Sequence, residues 1–195
     1  MSTSLKKVII LAAPSGAGKT TISKYLLERF SRLSFSISAT TRAPRGTEQD
    51  GVEYHFLSQA KFEGLINENA FLEYEQVYQG VYYGTLKSEL DRIWDLGKVP
   101  VLDIDVKGAI RVQKQLGAKS LSIFIMPPSI EALKERLLNR QTETEESIKT
   151  RIDKAEFEIG FSNQFNAIVK NEVLETACTD TANLLIEFLG PEFTK

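Results

Sequence analysis

A chain of 195 residues is long enough to bury one sizeable core with an inserted or appended segment. Its 42% hydrophobic and 26% charged residues belong to a globular enzyme and exclude a disordered chain. A net charge of −2 gives no ground for nucleic acid or a membrane surface as the main partner, and no apolar run approaches the roughly 20 residues that span a bilayer.

The first predicted element is a strand over Val8-Ile9-Ile10-Leu11-Ala12, leading into Ala13-Pro14-Ser15-Gly16-Ala17-Gly18-Lys19-Thr20 and then a helix to Phe30. The polar residues 1–7 run into this strand without a signal-peptide pattern. Ser34–Ser38 alternates and predicts a strand, Ala39–Thr47 an ordered loop carrying Arg42 and Arg45, and Val52–Phe56 a short strand. Ser58 is placed to cap a helix over Gln59–Asn67. Phe71–Tyr78 and Val81–Tyr83 read as strands joined by a Gln79-Gly80 turn. A helix is predicted over Thr85–Leu96, ended by Gly97, then a buried strand over Val99–Asp105 and a helix over Gly108–Leu116. Leu121–Ile125 is the next strand, broken by Pro127-Pro128, with Ser129 capping a helix to about Arg140. After the polar break 141–146, a long helix runs from about Glu145 to Gly160, with Ile148, Ile152, Ala155 and Ile159 as its apolar stripe. A last strand at Ala167–Val169 and a helix over Thr176–Leu189 close the chain. Strands alternating with helices predict an α/β fold with a parallel-sheet core and helices on both faces, interrupted by a mostly β segment from about 36 to 86. The single cysteine, Cys178, forms no internal disulfide, so a reducing, cytoplasmic compartment is expected, with Cys178 buried or half-buried on a helix.

The chemistry concentrates at the predicted carboxyl ends of the strands, where an open parallel sheet binds its ligand. Strand, glycine-rich loop and helix are the context of a phosphate-binding P-loop. Gly16 and Gly18 let backbone N–H groups converge on phosphate oxygens, Lys19 brings a cation to the β- and γ-phosphates, and Thr20 offers a hydroxyl to Mg²⁺. The loop begins with Ala13 where the motif has glycine, which is tolerable if that residue keeps a negative φ. Asp103 suits a metal-holding carboxylate; Asp105 either faces the same side of the strand or caps the following helix. Arg42 and Arg45, with Tyr54 downstream, form either an anion cradle or solvated loop charge. Arg136 and Arg140 share a helix face, with Arg151 on the next helix; they serve either as salt-bridge partners of Glu143, Glu145 and Glu146 or as a lid closing on a transferring phosphoryl group.

Residues Ser38 to Arg45 and Glu48 to Phe56, Phe71-Leu72-Glu73-Tyr74, Tyr82-Tyr83-Gly84-Thr85, Leu102 to Asp105 and Thr142 to Ser147 closely resemble the guanylate kinase signature, from the P-loop to Asn171. The resemblance implies a P-loop core (1–35 and 87–195), a GMP-binding subdomain (36–86) and a lid (139–150). It also implies phosphoryl transfer from ATP to GMP with Mg²⁺. It gives ATP to Ala13, Pro14, Ser15, Gly16, Ala17, Gly18, Lys19, Thr20 and Thr21, with Arg136, Arg140 and Asn171. It gives the guanine to Ser38, Glu73 and Thr85, the GMP phosphate to Arg42, Arg45, Tyr54 and Tyr83, and the GMP side of the cleft to Asp105. Lys19, Arg42, Arg140 and Arg151 are the implied catalytic set, and Thr20 and Asp103 the implied Mg²⁺ holders, directly or through water. Two departures accompany Ala13: an additional residue at Gln79, and Gln141 where the family commonly has glycine. The alternative is a scaffold module of the same fold that binds phosphopeptides without catalysis. Oligomeric state is left open.

Overall fold

Two sheets divide the chain. The computed structural model describes residues 6–138 and 145–194. The first sheet is five-stranded and parallel, in the order β2-β7-β1-β8-β9. Its strands are β1 (Val8–Ala12), β2 (Leu33–Phe35), β7 (Val99–Asp103), β8 (Ser120–Met126) and β9 (Ala167–Lys170). β1 is central and buried along its whole length. Its alternation explains the unbroken apolar run: Ile9 and Leu11 pack on one face with Ile22, Leu26 and Leu185, while Val8, Ile10 and Ala12 pack on the other with Leu90, Ala109 and Val112. Helices α1 (Lys19–Arg29) and α7 (Leu174–Leu189) thus cover one face, and α3 (Lys87–Asp95) and α4 (Val106–Leu116) the other. Cys178 lies buried on α7, as expected.

The second sheet, ordered β4-β3-β6-β5, comes entirely from the interrupting segment. It comprises β3 (Ala39–Thr40), β4 (His55–Phe56), β5 (Phe71–Tyr78) and β6 (Val81–Leu86). Its small core is Phe62 of α2 (Gln59–Asn67), fully buried and stacked on Phe71 at 4.3 Å and on Tyr82 at 5.2 Å. Ser58 caps α2 by accepting the Lys61 N–H.

Several boundaries differ from the sequence reading. The strand expected over Ser34–Ser38 is β2 and stops at Phe35, and residues 36–38 cross to the second sheet, where Ala39 and Thr40 form a strand inside the expected loop. Of Val52–Phe56 only His55 and Phe56 are strand. Thr85 and Leu86 belong to β6 and not to the following helix, because Thr85 pairs directly with Glu73 of β5. The strand ends at Asp103, and Asp105 caps α4 by accepting the Gly108 N–H at 2.9 Å. The β5–β6 pairing carries a bulge between Gln76 and Tyr78, beside Gln79, and the pairs from Glu73–Thr85 to Gln76–Tyr82 keep one register. Helices α5 (Ile130–Leu138) and α6 (Glu145–Ile159) pack on each other through Leu133, Leu137, Ile148, Ile152 and Ala155. Arg140, Gln141 and the rest of residues 139–144, the first half of the expected lid, lie outside the described residues.

Candidate active site

The turn from β1 to α1 sets out the site. Gly16 and Gly18 have φ of 89° and 95°, and Gly18 is the N-cap of α1. Ala13 has no positive φ: among the described non-glycine residues only Asn69 does, which accounts for alanine at that place. The loop curls with the Ala17 N–H on the Pro14 carbonyl at 3.1 Å, and α1 directs its N-terminus into the concavity. Ala13–Gly16, Gly18–Thr21, Asp103–Asp105, Arg151, Lys154 and Glu158 line a crevice of about 430 Å³ there. Lys19 is ion-paired with Asp103 and reaches the Ile104 carbonyl at 3.5 Å. Arg151, from α6, donates to Ser15 Oγ at 2.9 Å.

Asn171 holds the loop from behind. It is 3% exposed, and its amide Nδ2 donates to the Ala17 carbonyl at 2.8 Å. That amide fills the space where a Cβ on Gly18 would stand, so Gly18 is required both by its φ and by this approach. Arg136 in turn donates to the Asn171 carbonyl at 3.4 Å.

The second half of the site lies on the second sheet. Glu73 is 7% exposed and stands opposite Thr85, whose hydroxyl donates to its Oε1 at 2.8 Å. Burial pushes the Glu73 carboxyl up to about 7; the Thr85 bond opposes the rise and the charge of Asp105 adds to it. Glu73 and Asp105 press on one point: a Cβ on Gly108 would lie 3.0 Å from Glu73 Oε2 and 2.9 Å from Asp105 Oδ2. Asp105 also lines the P-loop crevice, so it stands between the two halves.

Arg42 gathers the expected cradle. Its Nε donates to Tyr83 Oη at 3.0 Å, and its guanidinium sits 5.0 Å from the Tyr54 ring centre. Its two terminal nitrogens fork onto Glu48 at 2.6 and 2.8 Å. This fork holds the Arg42 guanidinium well above its ordinary value and the Glu48 carboxyl down at about 2. Arg45 is exposed at the mouth, its backbone N–H on Glu48 at 2.8 Å. Ser38 sits half-buried where the chain crosses between the sheets, its carbonyl accepting the His55 N–H. A wider groove of about 940 Å³ between β9 and α7 is lined by none of these groups.

Two carboxylates were missed by the sequence reading. Glu48 lies within the quoted signature, but only the folded loop turns it onto Arg42. Glu158 is 8% exposed and lines the P-loop crevice; burial pushes its carboxyl up, while Lys154 and Lys19 oppose the rise. Its signal was an acidic residue three places beyond Ala155, on the apolar stripe of α6.

A parallel sheet with a P-loop at the end of its central strand, faced by an inserted sheet that carries the Arg42–Tyr83–Tyr54 cluster, defines a P-loop protein of the α/β class. The sequence profile described as guanylate kinase matches residues 5–187. The guanylate kinase of Bacteroides thetaiotaomicron is 49% identical over 95% of this chain and 91% of its own. That of Porphyromonas gingivalis is 48% identical over 95% of this chain and all of its own. The crystal structure of the guanylate kinase from Anaplasma phagocytophilum superposes with a TM-score of 0.74 at 29% identity, over 95% of this chain and 87% of that one. The chain belongs to the guanylate kinase family.

Proposed function

We propose that this protein transfers the γ-phosphoryl group of ATP to GMP, giving ADP and GDP. The observation that carries this reading is the buried Glu73 carboxylate, oriented by Thr85, beside the Arg42–Tyr83–Tyr54 cradle and across Asp105 from the P-loop. Guanine presents N1–H and the N2 amino group on one edge, and a carboxylate accepts both. Adenine presents a lone pair at N1 and no N2 amino group, so it leaves this buried carboxylate unpaired, which supports discrimination of roughly 10⁴ or more.

On this reading residues 36–86 are the GMP-binding subdomain and 139–150 the lid. Arg42 and Arg45, with Tyr54 and Tyr83, hold the GMP phosphate and neutralise it for approach to a second polyphosphate. Arg42 exchanges its Glu48 partner, wholly or in part, for that phosphate. Backbone N–H groups of the loop hold the ATP phosphates, and Lys19 leaves Asp103 to meet the transferring group. Arg151 is already on the loop through Ser15, and Arg136 and Arg140 complete the cationic wall. Asn171 serves ATP by holding the P-loop in shape. Transfer is in-line, with electrostatic stabilisation and exclusion of water as the main catalytic terms.

Magnesium fits the oxygen donors at the crevice. Thr20 and Asp103 both line it, and among the described residues no group of three or more acidic, histidine or cysteine side chains forms a protein cage. A few oxygen ligands plus phosphate and water are what this ion takes. Thr20 and Asp103 would hold it there, and it would neutralise charge on the ATP phosphates.

The loop Gly16-Ala17-Gly18-Lys19-Thr20 and the Lys19–Asp103 pair argue against the phosphopeptide scaffold. The test is ADP formation from Mg-ATP with each nucleoside monophosphate in turn, with a Lys19→Ala control. Turnover with GMP, lost in the control, is expected. Turnover with another monophosphate alone overturns the role of Glu73. Binding of GMP without turnover returns the scaffold reading.

A further inference from the structure

The carboxylate of Glu89 takes no part in the chemistry above, yet it is 4% exposed and heavily bonded. It lies in the first turn of α3. Its Oε1 accepts the backbone N–H of Ile37 at 3.1 Å and Nη2 of Arg92 at 2.8 Å. Its Oε2 accepts Nε of Arg92 at 2.8 Å, and His55 Nε2 stands 3.9 Å away. Burial pushes this carboxyl up, but the Arg92 fork, the Ile37 amide and the nearby His55 outweigh it, so the group is held below its ordinary value and stays charged.

The placement of the partners gives the network its meaning. The chain passes between the two sheets twice, at residues 36–38 and where β6 hands over to α3. Ile37 is the middle of the first passage, and Glu89 begins just after the second. One side chain therefore ties both passages, and His55 of β4 meets it from the inserted sheet. The first passage is held at one end by the Ser36 N–H on the Val101 carbonyl of the core sheet, at 3.0 Å. At the other end the Ser38 carbonyl accepts the His55 N–H at 2.9 Å. Glu89 supplies the grip between them. Beside it, Ser36 Oγ is the one buried side-chain polar atom among the described residues without a hydrogen-bond partner. A Glu–Arg pair three residues apart on a helix is ordinarily a solvated surface contact; here Arg92 stays half-exposed while the Glu89 carboxylate is sunk and reaches a backbone amide 52 residues away.

We propose that Glu89 is a positioning residue for the GMP half of the site: a staple across both passages that sets the angle at which the inserted sheet presents Ser38, Arg42 and Glu73 to the P-loop. Without it the inserted sheet samples a wider range of orientations, and GMP must supply the lost order on binding. ATP, held by the core sheet alone, is spared. The inference rests on the GMP reading above.

The test compares wild type, Glu89→Ala and Glu89→Gln as full chains. It measures KM for GMP and for ATP separately, and amide hydrogen exchange at Ile37–Ala39. In Glu89→Ala, KM for GMP is expected to rise about tenfold with KM for ATP changed by less than about twofold. Exchange at Ile37–Ala39 is expected to quicken while that of β1 does not change. Glu89→Gln should fall between, since its carboxamide oxygen still accepts the Ile37 N–H. Both KM values moving together, or faster exchange with an unchanged KM for GMP, overturns the proposal in favour of a purely structural role. If Glu89→Ala does not fold, Arg92→Met, which keeps the carboxylate and removes its fork, decides by the same split. If wild type does not turn over GMP, the functional reading fails. Exchange then decides the staple alone: faster exchange at Ile37–Ala39 supports it and unchanged exchange overturns it.

Discussion

Replacing Glu73 with glutamine should make the protein more stable and less able to use GMP, and the structure gives the size of both effects. The Glu73 carboxyl has an ordinary value of 4.5 and is pushed up to about 7 by burial. Between those values the folded chain binds more protons than the unfolded one, so stability falls as pH rises from about 4.5 to 7 and levels off above. The gap is worth roughly 3 kcal/mol at pH 8, of which roughly 2–3 kcal/mol develops above pH 5. Glutamine carries no charge at either pH. Its carbonyl keeps the Thr85 hydroxyl bond, and its amide faces Asp105 with a donor in place of a like charge. The variant is therefore expected to match wild type more nearly at pH 5, and to melt roughly 5–10 °C above it at pH 8. The same substitution offers guanine one acceptor and one misplaced donor, so KM for GMP should rise about 100-fold or more with KM for ATP nearly constant. Thermal unfolding at the two pH values, with initial-rate kinetics at pH 8, makes the measurement. An equal shift of melting temperature at pH 5 and pH 8, or destabilisation at pH 8, refutes the buried-charge argument. Equal loss of both substrates refutes the guanine role.

Three further outcomes follow from the geometry. Arg42→Lys loses the fork onto Glu48 and the Nε bond to Tyr83, and should raise KM for GMP about 30-fold with little change for ATP, read from initial rates. Gly18→Ala places a Cβ against the Asn171 amide at a φ of 95°; a cost of roughly 2–4 kcal/mol is expected in denaturant unfolding, with ATP affinity by calorimetry falling more than about tenfold. Gly108→Ala sets a methyl about 3 Å from both the Asp105 and Glu73 carboxylates; KM for GMP should rise several-fold while ATP affinity holds, and parallel changes in both refute the placement of Glu73 at the guanine site.

Much of this molecule was legible in its residues. The apolar run of β1, the glycine loop and the amphipathic helix after it form a local pattern, since strand, turn and helix each depend on neighbours a few residues apart. The alternation of strands and helices likewise pointed to the parallel sheet, and the aromatic and β-branched runs to β5 and β6. Less legible were the ends of elements. Thr85 reads as the start of a helix by period and is a strand residue by its pairing with Glu73. Ala39 and Thr40 read as loop until β4 and β6 come alongside.

The residues alone therefore determined the P-loop, the α/β class and the types of group available for phosphate and guanine, because these rest on local spacing and on side-chain chemistry. Only the tertiary structure decided which of those groups meet. Asp105 is a cap and not a strand residue, Glu48 is forked onto Arg42, Asn171 backs the P-loop, and Glu89 spans both passages between the sheets. Each of the last two joins residues far apart in the chain, and a buried carboxylate or amide takes whichever partner the packed chain brings within hydrogen-bond reach, because leaving it unpaired in the interior costs more than any local preference supplies.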